Sequence, residues 1–156
     1  TDQFSIQGSL GYTDAGFDEF LGFDADGVRG YDPVTDPAAA AALKFERVPE
    51  LTYNIMANYF QPLSNGAEID FRLAYSYTDD FTNDALGTRA IITDSYGLLD
   101  ASVSYTFAGS GLKLTVFGKN ITDEDYHDFA LDNALTSLTW GGVPDTYGLR
   151  LTYSFE

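Results

Sequence analysis

Residues 51–77, LTYNIMANYFQPLSNGAEIDFRLAYSY, decide how the chain is read. Leu51, Tyr53, Ile55, Ala57 and Tyr59 fall on one side of an extended chain, and Thr52, Asn54, Met56 and Asn58 on the other. After a short turn at Pro62–Gly66, the same alternation resumes: Ile69, Phe71, Leu73, Tyr75 and Tyr77 against Asp70, Arg72, Ala74 and Ser76. A period of two places successive side chains on opposite faces of a strand, so this stretch predicts two amphipathic strands joined by a tight turn.

The pattern repeats in both directions. Upstream, FSIQGSLGY (Phe4 to Tyr12) sets Phe4, Ile6, Gly8, Leu10 and Tyr12 against Ser5, Gln7, Ser9 and Gly11. Downstream, LDASVSYTF from Leu99 and LKLTVFGKN from Leu112 flank a short AGSG turn at Ala108–Gly111, with Phe117 the one misfit on the polar side. In the last strand Tyr147, Leu149, Leu151, Tyr153 and Phe155 alternate with Gly148, Arg150, Thr152 and Ser154. Between these units lie three long polar stretches, about 13–49, 79–96 and 122–143, the first with room for a helical turn at its alanines. Six strands are therefore expected, joined by long, short, long, short and long connections.

Composition supports strands and removes several classes of function. The 156 residues include 11 Tyr and 12 Phe, and no Cys, so neither disulfides nor thiolate metal sites are available. A net charge of -16, from 24 acids and 8 bases, argues against nucleic acid as a partner, since phosphate binding rests on Lys and Arg. No run approaches the roughly 18 apolar residues of a spanning helix. No basic and apolar leader precedes Phe4, so an export signal is expected to lie outside this stretch.

Alternately long and short connections, with strands of about 9–11 residues, are the habit of outer-membrane barrels, whose short turns face the periplasm and long loops the outside. Mid-strand charges at Asp70, Arg72, Asp100 and Arg150, with Lys113 and Lys119 on the same polar faces, suit a wet or plugged lumen and not a dry sandwich core. The apolar faces are then expected to meet lipid, with Tyr12, Tyr59, Tyr77, Phe107 and Tyr147 placed as interfacial aromatics. The fold expected is all-β: an antiparallel transmembrane β-barrel segment of about six meandering strands.

FGKNITDEDY (Phe117 to Tyr126) and GGVPDTYGLRLTYSF (Gly141 to Phe155) closely resemble the C-terminal end of TonB-dependent outer-membrane receptors, and RVPELTYN (Arg47 to Asn54) and YGLLDASVSYTF (Tyr96 to Phe107) resemble interior strands of that family. Asp145 stands where Arg is common, and Glu156 follows the usual terminal aromatic. The resemblance implies the last six strands of a 22-stranded barrel, with an N-terminal plug domain lying outside this stretch. Six strands alone would leave two unpaired edges in lipid, so the stretch is expected to work only within a longer transporter. The resemblance also implies energy delivered by the TonB system through the plug, and a final strand (Tyr147, Gly148, Leu149, Leu151, Tyr153, Phe155) read as a signal by the barrel-assembly machinery.

The lumen-facing charges Asp70, Arg72, Asp100, Lys113, Lys119 and Arg150 are expected to touch the plug or to solvate the wall. Ligand capture is expected in the outer loops, at Phe17, Phe20, Phe23, Tyr31, Tyr126, Phe129 and Trp140. An iron–siderophore complex is the ligand the family implies first, although acidic loops give no obvious docking for a strongly anionic chelate and leave carbohydrate or cobalamin-like ligands open. Those acids could also bridge to lipopolysaccharide through divalent cations. Neither a cofactor nor a metal is expected: DADGVRGYDPVTD (Asp24 to Asp36) lacks the full donor set of a calcium loop and reads as a solvated acidic loop. Catalysis is not expected either, because the only histidine, His127, has no serine elbow to serve, and NIT at Asn120 is a glycosylation sequon in form alone. The rival readings are another outer-membrane barrel, such as a porin-like channel, and a soluble carbohydrate-binding β-sandwich.

Overall fold

The computed structural model describes residues 3–17, 43–84, 91–132 and 136–155, with 20–23 and 31–34 described as backbone. Twelve strands run in chain order: β1 (Phe4–Tyr12), β2 (Phe20–Phe23), β3 (Tyr31–Val34), β4 (Leu51–Pro62), β5 (Glu68–Thr78), β6 (Phe81–Thr82), β7 (Ile92–Thr93), β8 (Tyr96–Thr106), β9 (Leu112–Lys119), β10 (His127–Asp132), β11 (Ser137–Gly141) and β12 (Thr146–Tyr153). Among the described residues there is no α-helix. The helical turn anticipated at the alanines lies outside them.

Six strands, β1-β4-β5-β8-β9-β12, form one antiparallel sheet in which each strand pairs with its sequence neighbour in the meander. The register keeps like faces together, because a slip of one residue would turn every apolar side chain of a strand to the wrong side. Thus Ile6 pairs with Ala57, Ala57 with Leu73, Leu73 with Ala101, Ala101 with Gly118 and Gly118 with Tyr147. On the opposite face Ser5, Asn58, Arg72, Ser102 and Phe117 follow one another in the same way. Polar cross-strand bonds reinforce that face: Asn54 Nδ2 donates to Ser9 Oγ (2.8 Å), and the hydroxyls of Ser104 and Thr115 meet at 2.9 Å.

Both short turns lie at one end. Gly66 has φ 82, a left-handed conformation that closes the first turn, and Leu63 N–H donates to the Ala67 carbonyl across it (2.8 Å). At the second turn Phe107 N–H donates to the Leu112 carbonyl (2.9 Å), while Ser154 N–H reaches the Gly111 carbonyl (2.9 Å), bringing the end of β12 beside it.

The long connections differ from expectation. Each was read as loop, and each carries a small hairpin: β2–β3 in the first, β6–β7 in the second, β10–β11 in the third. Strands of two to six residues are too short for a period of two to stand out, and Pro33 in β3 sits in an edge strand, where proline is tolerated. The last strand also stops earlier than expected, at Tyr153, so Phe155 lies past the ladder and is 88% exposed.

Burial is distributed unusually. The apolar face of the sheet is open, with Ile6, Leu10, Val116, Leu149 and Leu151 all exposed. Phe81, Thr82, Ile91, Thr93 and Ala130 are buried, and all five belong to the second and third connections. The long connections therefore pack on one another, while the sheet waits for an apolar solvent.

Candidate functional site

The polar face of the sheet holds two concavities. The larger, about 540 Å³, is lined by Ser5, Asn58, Asp70, Arg72, Ser102, Lys113 and Arg150 among others. A second of about 230 Å³ shares Arg72, Ser102, Thr115 and Arg150 with it and adds Asp100, Phe117 and Lys119. All six charges picked out in the sequence thus line this face, where the alternation of β5, β8, β9 and β12 puts them.

Their pairing is uneven. Lys113 Nζ stands 3.2 Å from Asp70 Oδ2, half-exposed on both sides, a contact worth little by itself in water. Asp100 Oδ1 accepts the backbone N–H of Asn120 at 3.0 Å. Arg150 places its guanidinium 5.5 Å from the centre of the Phe117 ring, and Gly148 faces Phe117 across the ladder. This accounts for the misfit at Phe117: the ring occupies the gap that Gly148 leaves and gives Arg150 an aromatic surface. Among the described residues no ion pair joins Arg72, Lys119 or Arg150 to a carboxylate.

At the loop end Asn120 is buried, with φ 47, and uses its whole amide: Nδ2 donates to the carbonyls of Glu124 (2.9 Å) and Val143 (3.1 Å), and Oδ1 accepts the Glu124 N–H (2.9 Å). Ile121 N–H donates to the Leu99 carbonyl (2.8 Å). The NIT segment is therefore a lock that turns β9 out of the sheet and ties it to the approach of β12. The sequence pattern marked the segment without revealing this role, which depends on Val143, 23 residues away.

The expected ligand-loop residues are not gathered in one place. Phe17 stacks on Phe45 with ring centres 4.1 Å apart. Phe20 begins β2, while Phe23 and Tyr31 are paired at the far end of the β2–β3 hairpin. Tyr126 stacks on Tyr96 (4.2 Å), its carbonyl accepts the Gly142 N–H (2.7 Å), and its hydroxyl accepts the Val143 N–H (3.2 Å). Phe129 and Trp140 are cross-strand partners 5.2 Å apart on β10–β11, and Trp140 is 50% exposed. His127 opens β10 opposite Gly141, exposed, beside an irregularity in the pairing. The acidic stretch Asp24–Asp36 is described only as the backbone of 31–34 within it.

One residue absent from the expectations joins the three connections. Arg47, with φ 58, donates its N–H to the Thr82 carbonyl (2.8 Å) in β6. Its guanidinium reaches the Asp128 carbonyl (3.4 Å) and lies 5.7 Å from the centre of the Phe129 ring, both in β10. A lone arginine before a strand carries no sequence signal for such a role.

The aromatic residues of the apolar face form two borders. Tyr147 on β12 is in ladder register with Ile6 on β1, and Tyr12 stands six residues beyond Ile6 toward the loop end. At the turn end Phe4 is in register, through Tyr59, Phe71, Val103 and Val116, with Leu149, and Phe155 stands six residues beyond Leu149. Both borders slide by the same amount over five steps between strands. With about 3.3 Å per residue and about 4.8 Å per strand, the slope is about 40°. That is the tilt of strands in a membrane barrel, and two parallel borders are what two membrane interfaces require.

An open apolar face between two tilted aromatic borders, backed by a charged concave face, defines the wall of a transmembrane β-barrel. A family model described as TonB dependent receptor-like, beta-barrel matches residues 2–121, more than three quarters of the chain, and the chain belongs to that family. The match ends within the Asn120 turn, but the pairing of β12 with β9 makes the last strand part of the same wall. Receptors of this family are outer-membrane transporters and not enzymes. No match was found among curated proteins or solved structures.

Proposed function

We propose that this chain supplies six wall strands and three outer connections to a receptor that takes up a scarce ligand across the outer membrane, driven by the TonB system. The observation that carries the reading is the pair of parallel aromatic borders on an exposed apolar face, opposite a polar face that collects Asp70, Arg72, Asp100, Lys113, Lys119 and Arg150. The apolar face suits lipid, and the polar face suits a plug whose acidic groups answer Arg72, Lys119 and Arg150, which pair with no carboxylate among the described residues. An iron–siderophore complex is the cargo that the family resemblance puts first, with carbohydrate and cobalamin as the alternatives. The final strand, from Tyr147 to Phe155, would address the barrel-assembly machinery, and acids at the outer end would reach lipopolysaccharide through divalent cations.

The test uses the full-length receptor in its native cell. A deletion strain should lose uptake of one among ferric siderophores, cobalamin and oligosaccharides supplied at limiting concentration, and the intact gene should restore it. Restored uptake that survives collapse of the inner-membrane proton gradient would overturn the reading and favour a passive channel.

A further inference from the structure

The polar face of the wall gathers positive charge around a floor of hydroxyls. Its two concavities share Arg72, Ser102, Thr115 and Arg150. These four stand on β5, β8, β9 and β12, which are successive strands of the sheet, so the two arginines flank the two hydroxyl residues. Together the concavities are lined by four bases, Arg72, Lys113, Lys119 and Arg150, and by two acids, Asp70 and Asp100. Both acids are engaged, Asp70 with Lys113 Nζ at 3.2 Å and Asp100 with the Asn120 N–H at 3.0 Å. Among the described residues no hydrogen bond or ion pair engages the Arg72 guanidinium, and that of Arg150 lies over the Phe117 ring, 5.5 Å from its centre. Contact with a ring uses the flat face of a guanidinium and leaves its in-plane N–H fork free to meet an oxygen.

We infer that Arg72 and Arg150, with the hydroxyls of Ser102 and Thr115 between them, form a site for an oxyanion group, phosphate or carboxylate, carried by a solute in the lumen. Arginine forks match the oxygens of both groups with paired N–H···O bonds, and such charge-assisted bonds are the strong ones. The hydroxyl floor offers donors to the oxygens that the forks leave over. Asp70 answers Lys113, so the uncompensated charge of the larger concavity falls to the two arginines. At about 540 Å³ that concavity also has room for the body of a small solute. Where the acidic loops offer an anionic cargo no docking, the wall supplies it. The inference rests on the transporter reading, which puts a solute in the lumen, and it adds the class of that solute. In the loaded receptor the two arginines exchange an acid of the plug for the oxyanion of the solute.

The test is calorimetric binding to the purified full-length receptor, which requires no transport. Glucose 6-phosphate, glucuronate and glucose share one ring and differ in carrying a phosphate, a carboxylate or a hydroxyl. At about 0.01 M salt, where the screening length is about 30 Å, the phosphate should bind tightest, the carboxylate next, and glucose roughly ten-fold or more weakly than either. The gap should narrow at about 1 M salt. Arg72→Gln and Arg150→Gln should each weaken both anions by roughly ten-fold, and Arg72→Lys by less, since it keeps the charge and loses the fork. Lys44→Gln, which removes a base already held by Glu50 in the first connection, should leave binding unchanged. Heat-modifiable gel mobility confirms a folded barrel, and Arg72→Gln serves alone if Arg150→Gln, deprived of its contact with Phe117, fails to fold. Glucose binding as tightly as the anions, unchanged affinity in folded Arg72→Gln, or an equal loss in Lys44→Gln would each overturn the inference. So would no saturable binding of any of the three, the result expected if acids of the plug hold the arginines permanently. Uptake that ignores the proton gradient, with this binding intact, would remove the transporter reading and leave the oxyanion site standing.

Discussion

Gly148 sits directly across the ladder from Phe117, and a Cβ placed on Gly148 would come within 2.5 Å of the Phe117 ring edge. The absence of a side chain on β12 is what lets an aromatic residue lie on the polar face and support Arg150. Gly148→Ala should push the ring away from Arg150 and cost about 1–3 kcal/mol, as overpacking does. Phe117→Ala should relieve most of that cost, so the double variant departs from additivity in urea unfolding of the full receptor in detergent. Additive effects would mean that the two residues do not constrain one another.

Asn120 makes three amide hydrogen bonds from a buried position with positive φ. Asn120→Ala strands the Glu124 N–H and two carbonyls and keeps the unfavourable φ, a loss of about 2–4 kcal/mol by the usual cost of unmade buried bonds. Asn120→Gly relaxes the backbone yet loses the same bonds. Hydrogen exchange should quicken at Glu124 in both variants, and unchanged protection there would show that the amide is not what locks the turn.

Arg47 holds β6 through its backbone and β10 through its side chain. Arg47→Ala should therefore loosen β10–β11 while the bond to the Thr82 carbonyl persists. Amide exchange should rise over His127–Asp132 and stay constant at Asn83 and Thr93. A uniform rise over both connections would show that the guanidinium does not act locally.

The two faces of β12 predict opposite tolerance to charge. Leu149, 74% exposed on the apolar face, should lose about 2–4 kcal/mol as Leu149→Arg if that face meets lipid near mid-depth. Thr152 pairs with Lys113 on the polar face, and Thr152→Arg should cost less than about 1 kcal/mol. Folding titrations into lipid vesicles would separate them, and equal costs would contradict the assignment of faces.

Phe155 extends past the ladder and meets Tyr153 edge-on, with ring centres 4.8 Å apart. Removing Phe155 together with Glu156 should slow assembly of the full receptor into the outer membrane more than removing Glu156 alone. The fraction of heat-modifiable barrel after a pulse of synthesis measures this, and identical fractions would mean that the aromatic is no part of an assembly signal.

The six wall strands and their two faces were legible in the sequence, because alternation over eight or more residues, as in Phe4–Tyr12 or Glu68–Thr78, leaves few other ways to segregate apolar from polar atoms. The charges of the polar face followed from the same parity, although Phe60, Leu98 and Phe117 also fall on that face, and the family resemblance came from short motifs on those strands. Tertiary structure alone decided the rest. Why Phe117 is tolerated depends on Gly148 and Arg150 of another strand. What Asn120 locks depends on Val143, and what Arg47 joins depends on Thr82, Asp128 and Phe129. The equal slope of the two aromatic borders needs the register of five strand pairs, which no one strand encodes. Local alternation is written residue by residue, whereas contacts between distant connections arise only when the sheet has brought their ends together.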